Sequence, residues 1–223
     1  AYYKEQGVSK VAIYGAFIPN PMHVYRVAGV LSGLGLSYDG STDEAEVVGK
    51  IFADQGVDPS KVSGDIEMVA YLQGYGDTTT DEINAAIQAA PDAFISVGMA
   101  TTFFTQQLNA AGIEFSDIDS FTKSNGEAIT SGKLVYLAGK YSSSVGPAFA
   151  LIMNAINGNI VRDADGNAVS ISQNYQVATD EATFDEFYKT DNGDNPIYNK
   201  ETLDKIIGDS VTCDDITKLV ESK

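Results

Sequence analysis

The residue types that carry most enzyme chemistry are scarce in this sequence, which holds one cysteine, Cys213, and one histidine, His23. A single thiol permits no internal disulfide and none of the paired spacings of zinc or dithiol redox sites. Cys213 reads instead as a half-buried apolar residue of the tail. Nucleophilic catalysis needs a base within reach of a serine or thiol. With one histidine and no G-x-S-x-G elbow, the chain lacks that pairing. Phosphate-loop, dinucleotide and H-E-x-x-H signatures are missing as well. Gly33-Leu34-Gly35 follows a helix and not a strand, so it cannot cradle a pyrophosphate. Asp163, Asp165 and Asn167 have the outline of a calcium loop, but the glycine falls at the wrong place and no bidentate glutamate closes it. Acids are plentiful, yet no spacing singles out a catalytic pair. The sequence argues for binding over turnover, with no enzyme activity, no cofactor and no metal expected.

Positive charge is also sparse, with 14 basic residues against 31 acidic ones and a formal net charge of −17. A phosphate backbone or an anionic membrane is repelled by most of such a surface, so nucleic acid is not an expected partner. The acidic stretches 43–46, 180–186 and 214–215 read as solvated faces. No run approaches the roughly 20 apolar residues that span a bilayer. No charged-then-apolar leader opens the sequence, which leaves a mature exported protein and a cytosolic one both open.

What the chain does have is a rhythm. Five apolar, β-rich runs, at 10–14, 67–72, 93–97, 114–121 and 134–138, each end in a short polar or glycine-bearing loop that leads into a helical pattern. Alternation of this kind requires crossover connections and therefore a parallel sheet covered on both faces. The expected fold is α/β, a three-layer αβα lobe with a mostly parallel sheet of five to six strands. Ligands of such sheets meet the loops at the carboxyl ends of the strands.

Along the chain, residues 1–7 read as the last turn of a helix closed by Gly7. Pro21 opens a helix whose apolar stripe is read as Tyr25, Ala28, Leu31 and Leu34. Residues 43–53 form a second helix with Val47, Val48, Ile51 and Phe52 inward, and the stretch up to Gly64 is a plain loop. Thr80, followed by Asp81 and Glu82, caps a third helix, and 101–111 is a fourth. One lobe is expected over 1–223, built of strand-helix units at about 8–140. A crossover helix at 142–158 follows, with Val145, Phe149, Ile152, Met153 and Ile156 inward. Asp165-Gly166-Asn167 signals a hairpin over 160–171, and a tail at 173–223 carries a sixth strand at 173–177 and further helices.

The order of several motifs is distinctive. Val11-Ala-Ile-Tyr-Gly, then Arg26-Val-Ala-Gly29, Asp92-Ala-Phe-Ile, Leu108-Asn-Ala-Ala-Gly112, Asp119-Ser, Gly132-Lys-Leu134, Lys140-Tyr and Ile156-Asn-Gly158 follow one another across residues 1–190. This order resembles the second lobe of type I periplasmic solute-binding proteins, sugar-binding branch, a lobe shared with lactose-repressor-like regulators. Members have two α/β lobes joined by three crossovers, with the ligand in the cleft. The resemblance implies that this chain is the C-terminal lobe and tail, that the N-terminal lobe of the full-length protein is absent, and that a lobe so isolated exposes its partner-facing surface and dimerises.

By the same resemblance the ligand-binding residues are Arg26, His23, Gln73, Tyr75, Asp119, Ser120 and Lys140. Arg26 occupies the R-x-x-G position, whose guanidinium donates to ligand oxygens, and is otherwise a surface helix arginine. His23, one turn earlier, either joins it or caps the helix. Gln73 and Tyr75 follow the second strand, where relatives stack an aromatic on the sugar face, although aromatics also fill cores. Asp119 or Ser120 falls at the strand-end aspartate, with helix capping by Ser120 or Ser124 as the alternative. Two departures stand out: Val97-Gly98 replaces an expected Asn-Asp, and Lys140 replaces a glutamine. A free Lys140 favours an acidic or carbonyl-bearing ligand, and one paired with Asp119 is electrostatically silent. The implied function is extracytoplasmic capture of a sugar or sugar derivative for the permease of an ATP-binding-cassette importer, in a periplasmic protein or a cell-surface lipoprotein. The effector-binding core of a lactose-repressor-like regulator is the alternative.

Overall fold

The computed structural model describes residues 2–18, 20–75 and 77–223. Among them, six strands form one sheet in the order β4-β1-β5-β6-β7-β8. These are β1 (Lys10–Tyr14), β4 (Glu67–Leu72), β5 (Ala93–Ser96), β6 (Glu114–Ser120), β7 (Leu134–Lys140) and β8 (Gln176–Ala178). β1 pairs in parallel with β4 and with β5, Ile13 lying opposite Tyr71 on one side and Ile95 on the other, and β5 pairs in parallel with β6. The expected mostly parallel α/β sheet flanked by helices is the observed one. A short antiparallel ribbon of β2 (Ser37–Tyr38) and β3 (Val62–Ser63) stands where the sequence reads as plain loop.

The chain divides into two compact units, the first spanning Ala1–Asp119 and Lys123–Leu137, the second Ser120–Thr122 and Ala138–Lys223. In the first unit, α1 (Tyr2–Glu5) precedes Gly7 in the left-handed region. α2 (Pro21–Leu34) follows β1, and α3 (Glu44–Asp54) follows the β2 segment. α2 starts because Pro21 sits at the first helical position and the Asn20 side chain accepts from the Met22 amide at 3.0 Å; it stops at Gly35 with φ of 72°. Its buried stripe is Val24, Val27, Ala28, Leu31 and Leu34, while Tyr25 points outward and is 58% exposed. Val47, Val48 and Ile51 of α3 are buried as expected, and Phe52 is at the surface. Val11, Ile13 and Tyr14 of β1, Phe94 of β5 and Phe115 of β6 make the floor of the core.

α4 (Asp77–Gln88) starts three residues before the expected cap at Thr80. The single helix expected at 101–111 is broken into α5 (Ala100–Phe103) and α6 (Thr105–Ala111). At the break Phe104 leaves helical geometry, with φ −126° and ψ −3°, and drives its ring edge-on against Tyr14 and Phe94. α7 (Lys123–Thr130) completes this unit.

In the second unit, α8 (Gly146–Ile156), α10 (Lys200–Asp204) and α11 (Cys213–Glu221) surround a core of Ala150, Val161, Ile206, Ile216 and Val220, and α9 (Glu181–Asn192) sets Phe184 and Phe187 against Phe121. Cys213 is half-buried against it, as its reading as a tail apolar residue expects. The expected inward face of α8 is reversed. Gly146, Pro147, Ala150 and Asn154 are buried, and Val145, Phe149, Ile152 and Ile156 are exposed by 68%, 49%, 59% and 71%. The small face is held inward by Asn154, whose amide donates to the Ile206 carbonyl at 2.9 Å and accepts from the Gly208 amide at 2.8 Å. A buried amide bonded through both its nitrogen and its oxygen fixes the helix's rotation more firmly than the symmetric apolar pattern can.

The hairpin expected over 160–171 is a lone turn without strands. The Asp163 carboxylate accepts from the amides of Asp165 and Asn167 at 3.0 and 2.7 Å, and backbone bonds from Asp163 N–H to the Asn167 carbonyl and from Gly166 N–H to the Asp163 carbonyl, each 3.1 Å, close the turn with it. Val161, Val169 and Ile171 on its flanks are held by packing on the unit's core.

Candidate functional site

The carboxyl ends of β1, β4 and β5 carry the candidate site in the first unit. Their loops are tied together by backbone bonds: Gly15 N–H to the Leu72 carbonyl (2.8 Å), Gly74 N–H to the Ala16 carbonyl (2.5 Å) and Val97 N–H to the Tyr14 carbonyl (3.0 Å). The Tyr14 hydroxyl adds a bond to the Gly74 carbonyl at 3.0 Å, and burial raises its pKa so that it remains a donor. Only glycine fits at position 15, since a Cβ there would lie 2.0 Å from the Tyr71 hydroxyl oxygen.

On this frame stands a row of rings running from core to surface. Phe94 meets Phe104, Phe104 meets Phe103, Phe103 lies 5.3 Å from Tyr75, and Tyr75 faces Phe17 at 6.3 Å with ring planes 20° apart. Its outer members are open, with Phe17 47%, Tyr75 44% and Phe103 39% exposed. Met99, 38% exposed and itself in the left-handed region, begins α5 in the loop after β5. Of these only Tyr75 was singled out in the sequence. Phe17 had a signal, its place two residues after Gly15 in the first strand-end loop; Phe103 was hidden by the unbroken helix expected over it.

The other expected residues take varied places. His23 is buried, and its Nδ1 accepts from the Phe17 amide at 2.9 Å, so it secures the loop that carries the first ring. The Arg26 guanidinium donates through Nη1 to the Val97 carbonyl at 2.8 Å, which sets it beside the end of β5. Gln73 turns away, its amide donating to the Gln55 carbonyl at 2.8 Å, and lines a separate cavity of about 360 Å³ with Asp54, Asp58, Lys61 and Tyr71. Asp119 is half-buried near the end of β6.

Two residues earlier lies a group the sequence reading passed over. Asp117 is fully buried and receives four bonds: the Ser96 hydroxyl (2.9 Å) and the Ile118 amide (2.9 Å) on Oδ1, the Thr101 amide (2.9 Å) and hydroxyl (3.1 Å) on Oδ2. Desolvation raises its pKa, the Thr101 and Ser96 bonds pull the other way, and the charge of Asp119 adds to the rise. It shares the strand parity of Phe115, so an acid at a core-facing position was the available sign. Through Ser96, whose hydroxyl oxygen accepts from the Gly98 amide at 3.0 Å, Asp117 shapes the loop that presents Met99 and Phe103.

Ser120 and Lys140 belong to the second unit. There Lys140 is exposed and forms no ion pair among the described residues. With Tyr141, Gln173, Tyr175, Tyr198 and Lys223 it lines a cavity of about 410 Å³.

No protein-family model matches the chain, and no curated protein matches it. A solved structure does: the periplasmic binding protein component of the arabinose ABC transporter from Shewanella sp. ANA-3, bound to alpha and beta-L-arabinofuranose. The two share 17% identity with a TM-score of 0.50 over 84% of this chain, and the chain spans 56% of that protein's length. Strand order, parallel pairing and this likeness agree that the chain has a type I periplasmic-binding-protein-like fold.

Proposed function

We propose that this chain is a ligand-binding part of an extracytoplasmic receptor that captures a small polar solute, a sugar or sugar derivative, and hands it to the permease of an ATP-binding-cassette importer. The observation that carries the reading is the row of exposed rings Phe17, Tyr75 and Phe103 on the strand-end loops of a parallel sheet. Flat apolar faces suit the C–H face of a saccharide, and Arg26 beside the end of β5 and Asp119 near the end of β6 are the polar side chains of that reading. In that reading a second lobe closes over the ligand, and no bond is made or broken.

The test is a thermal-shift screen with pentoses, hexoses and their derivatives. A ligand at 100 times its dissociation constant stabilises by about 2.7 kcal/mol, a midpoint rise of roughly 5–10 °C. Arg26→Gln is expected to abolish the rise. The reading fails if no saccharide or derivative shifts the midpoint, or if Arg26→Gln leaves a hit unchanged.

We also propose that the isolated chain pairs with a second copy of itself through α8. No charged residue stands between Lys140 and Arg162 in a chain of net charge −17, so this stretch adds no like-charge repulsion between copies. Val145, Phe149, Ile152 and Ile156 repeat at helical spacing, and such a stripe is self-complementary about a two-fold axis. Light scattering at about 100 µM is expected to give a dimer mass; a monomer at that concentration overturns the pairing.

A further inference from the structure

The geometry points to a binding site for a small hydroxycarboxylic acid in the cavity at the carboxyl end of β7, with Lys140, Tyr141 and Tyr198 as its donors. Every residue of the site belongs to the second unit, so it stands or falls apart from the row of rings.

Tyr198 is the most telling residue. It is only 6% exposed, yet its hydroxyl bonds to no described residue. A tyrosine hydroxyl in so buried a residue ordinarily has a partner. Its root is held against Gly146 of α8, where an added Cβ would come within 2.6 Å of the Tyr198 Cβ. The hydroxyl is not among the polar atoms sealed from solvent, and the residue lines the cavity. Burial raises its pKa, so it offers a proton and not a negative charge. Tyr141 is the second donor. Its ring is braced by Phe121 at 5.5 Å and Phe187 at 6.1 Å, and its hydroxyl also bonds to no described residue. Burial and the charges of Glu186 and Asp191 raise its pKa too.

Charge decides the class of ligand. Six lysines of the chain pair with carboxylates, but Lys140, the last residue of β7, does not, and neither does Lys223 on the cavity's rim. Glu221 is the one acid lining the cavity, so its side chains sum to a single positive charge in a chain of net charge −17. A carboxylate takes charge-assisted bonds from ammonium and phenol alike and matches that single charge, which a phosphate dianion exceeds. Glu221 adds an acceptor that a carboxylate cannot use and a ligand hydroxyl can. The walls are fixed beforehand. Asp191 accepts from the Ser142 amide at 2.5 Å and the Ser142 hydroxyl at 3.0 Å, and the Gln173 amide donates to the Ser144 carbonyl at 2.8 Å. The volume, about 410 Å³, falls in the roughly 300–1,000 Å³ span of small-molecule sites.

The experiment is calorimetric titration of the chain with acids matched to neutral partners: quinate against myo-inositol, glycerate against glycerol and lactate against propane-1,2-diol, with inorganic phosphate beside them. At least one acid is expected to bind tenfold or more tightly than its neutral partner and than phosphate. Lys140→Gln and Tyr198→Phe are each expected to weaken that acid by about 10- to 150-fold, the range of a hydrogen bond to a charged group. Lys140→Arg, which keeps the charge, is expected to lose less than Lys140→Gln, and Arg26→Gln to lose nothing. The site is wrong if no acid binds, if the neutral partners bind as tightly, or if Lys140→Gln and Tyr198→Phe both leave the affinity unchanged. Phosphate binding as tightly as the acids overturns the carboxylate assignment. Loss of the acid with Arg26→Gln but not with Lys140→Gln moves it to the first unit and refutes the cavity site while the receptor reading stands. A silent saccharide screen refutes the receptor reading and leaves the cavity site to its own titrations.

Discussion

Asp117 is the residue on which the geometry of the β5 loop depends. Removing its side chain strands two hydroxyls and the amides of Thr101 and Ile118 in a buried site. Asp117→Ala is accordingly expected to cost about 3 kcal/mol, read as a lower urea midpoint with unchanged slope. A loss under 0.5 kcal/mol would show that the donors find other partners. The pH dependence runs in opposite senses for two acids. The carboxyl of Asp117 is held above its ordinary value of 3.8, so its contribution to stability is complete below that value and declines as pH rises through the raised one. Asp92 is held below 3.8 by the Ser9 amide, the Ser9 hydroxyl and the Lys10 amide, so its contribution is present above 3.8 and lost as pH falls through the lowered value. Asp92→Asn is expected to flatten the acid limb of stability against pH; an unchanged limb assigns it to other carboxylates. Residue roles were the least legible part of the sequence. Tyr75 could be placed from its strand end, but whether Gln73 faces the site or α3 depends on a rotamer, and His23 acts through a neighbour's backbone.

At the scale of elements, existence was readable and orientation was not. β1, β4, β5, β6 and β7 lie within a residue or two of where apolar runs put them, because a buried parallel strand needs a continuous apolar stretch. The facing of α8 could not be read, because large residues line one side and small ones the other, and both look apolar. Packing of the small face is decided by Asn154, whose partners lie more than 50 residues away. The break at Phe104 is likewise tertiary, set by Tyr14 and Phe94. The exposed stripe gives a direct prediction. Ile152→Lys or Ile156→Lys is expected to weaken self-association at least tenfold, since a fully buried isoleucine is worth about 1.5–3 kcal/mol. The same changes are expected to leave folding stability within about 0.5 kcal/mol. Sedimentation and urea melts check the two readouts, and an unchanged association constant removes α8 from the contact.

For the whole molecule, fold and charge are properties of different kinds. The sheet follows from alternation summed over many residues, which is why it survives errors in individual helices and was legible at the outset. The return of residues 120–122 to the second unit was not, because contact density depends on how segments distant in sequence pack. Net charge is carried by composition alone. At −17, two copies approaching one another repel over most of their surface, and the uncharged stretch of α8 adds nothing to that repulsion. The Debye length falls from about 30 Å at 0.01 M to about 10 Å at 0.1 M and 3 Å at 1 M salt. Apolar contact is not weakened by that screening, whereas the repulsion is. Self-association measured by sedimentation is therefore expected to strengthen steadily as sodium chloride is raised from about 0.01 M to 0.5 M. A dimer that weakens over the same range would be held by ion pairs, and the apolar face of α8 would not be what joins its copies.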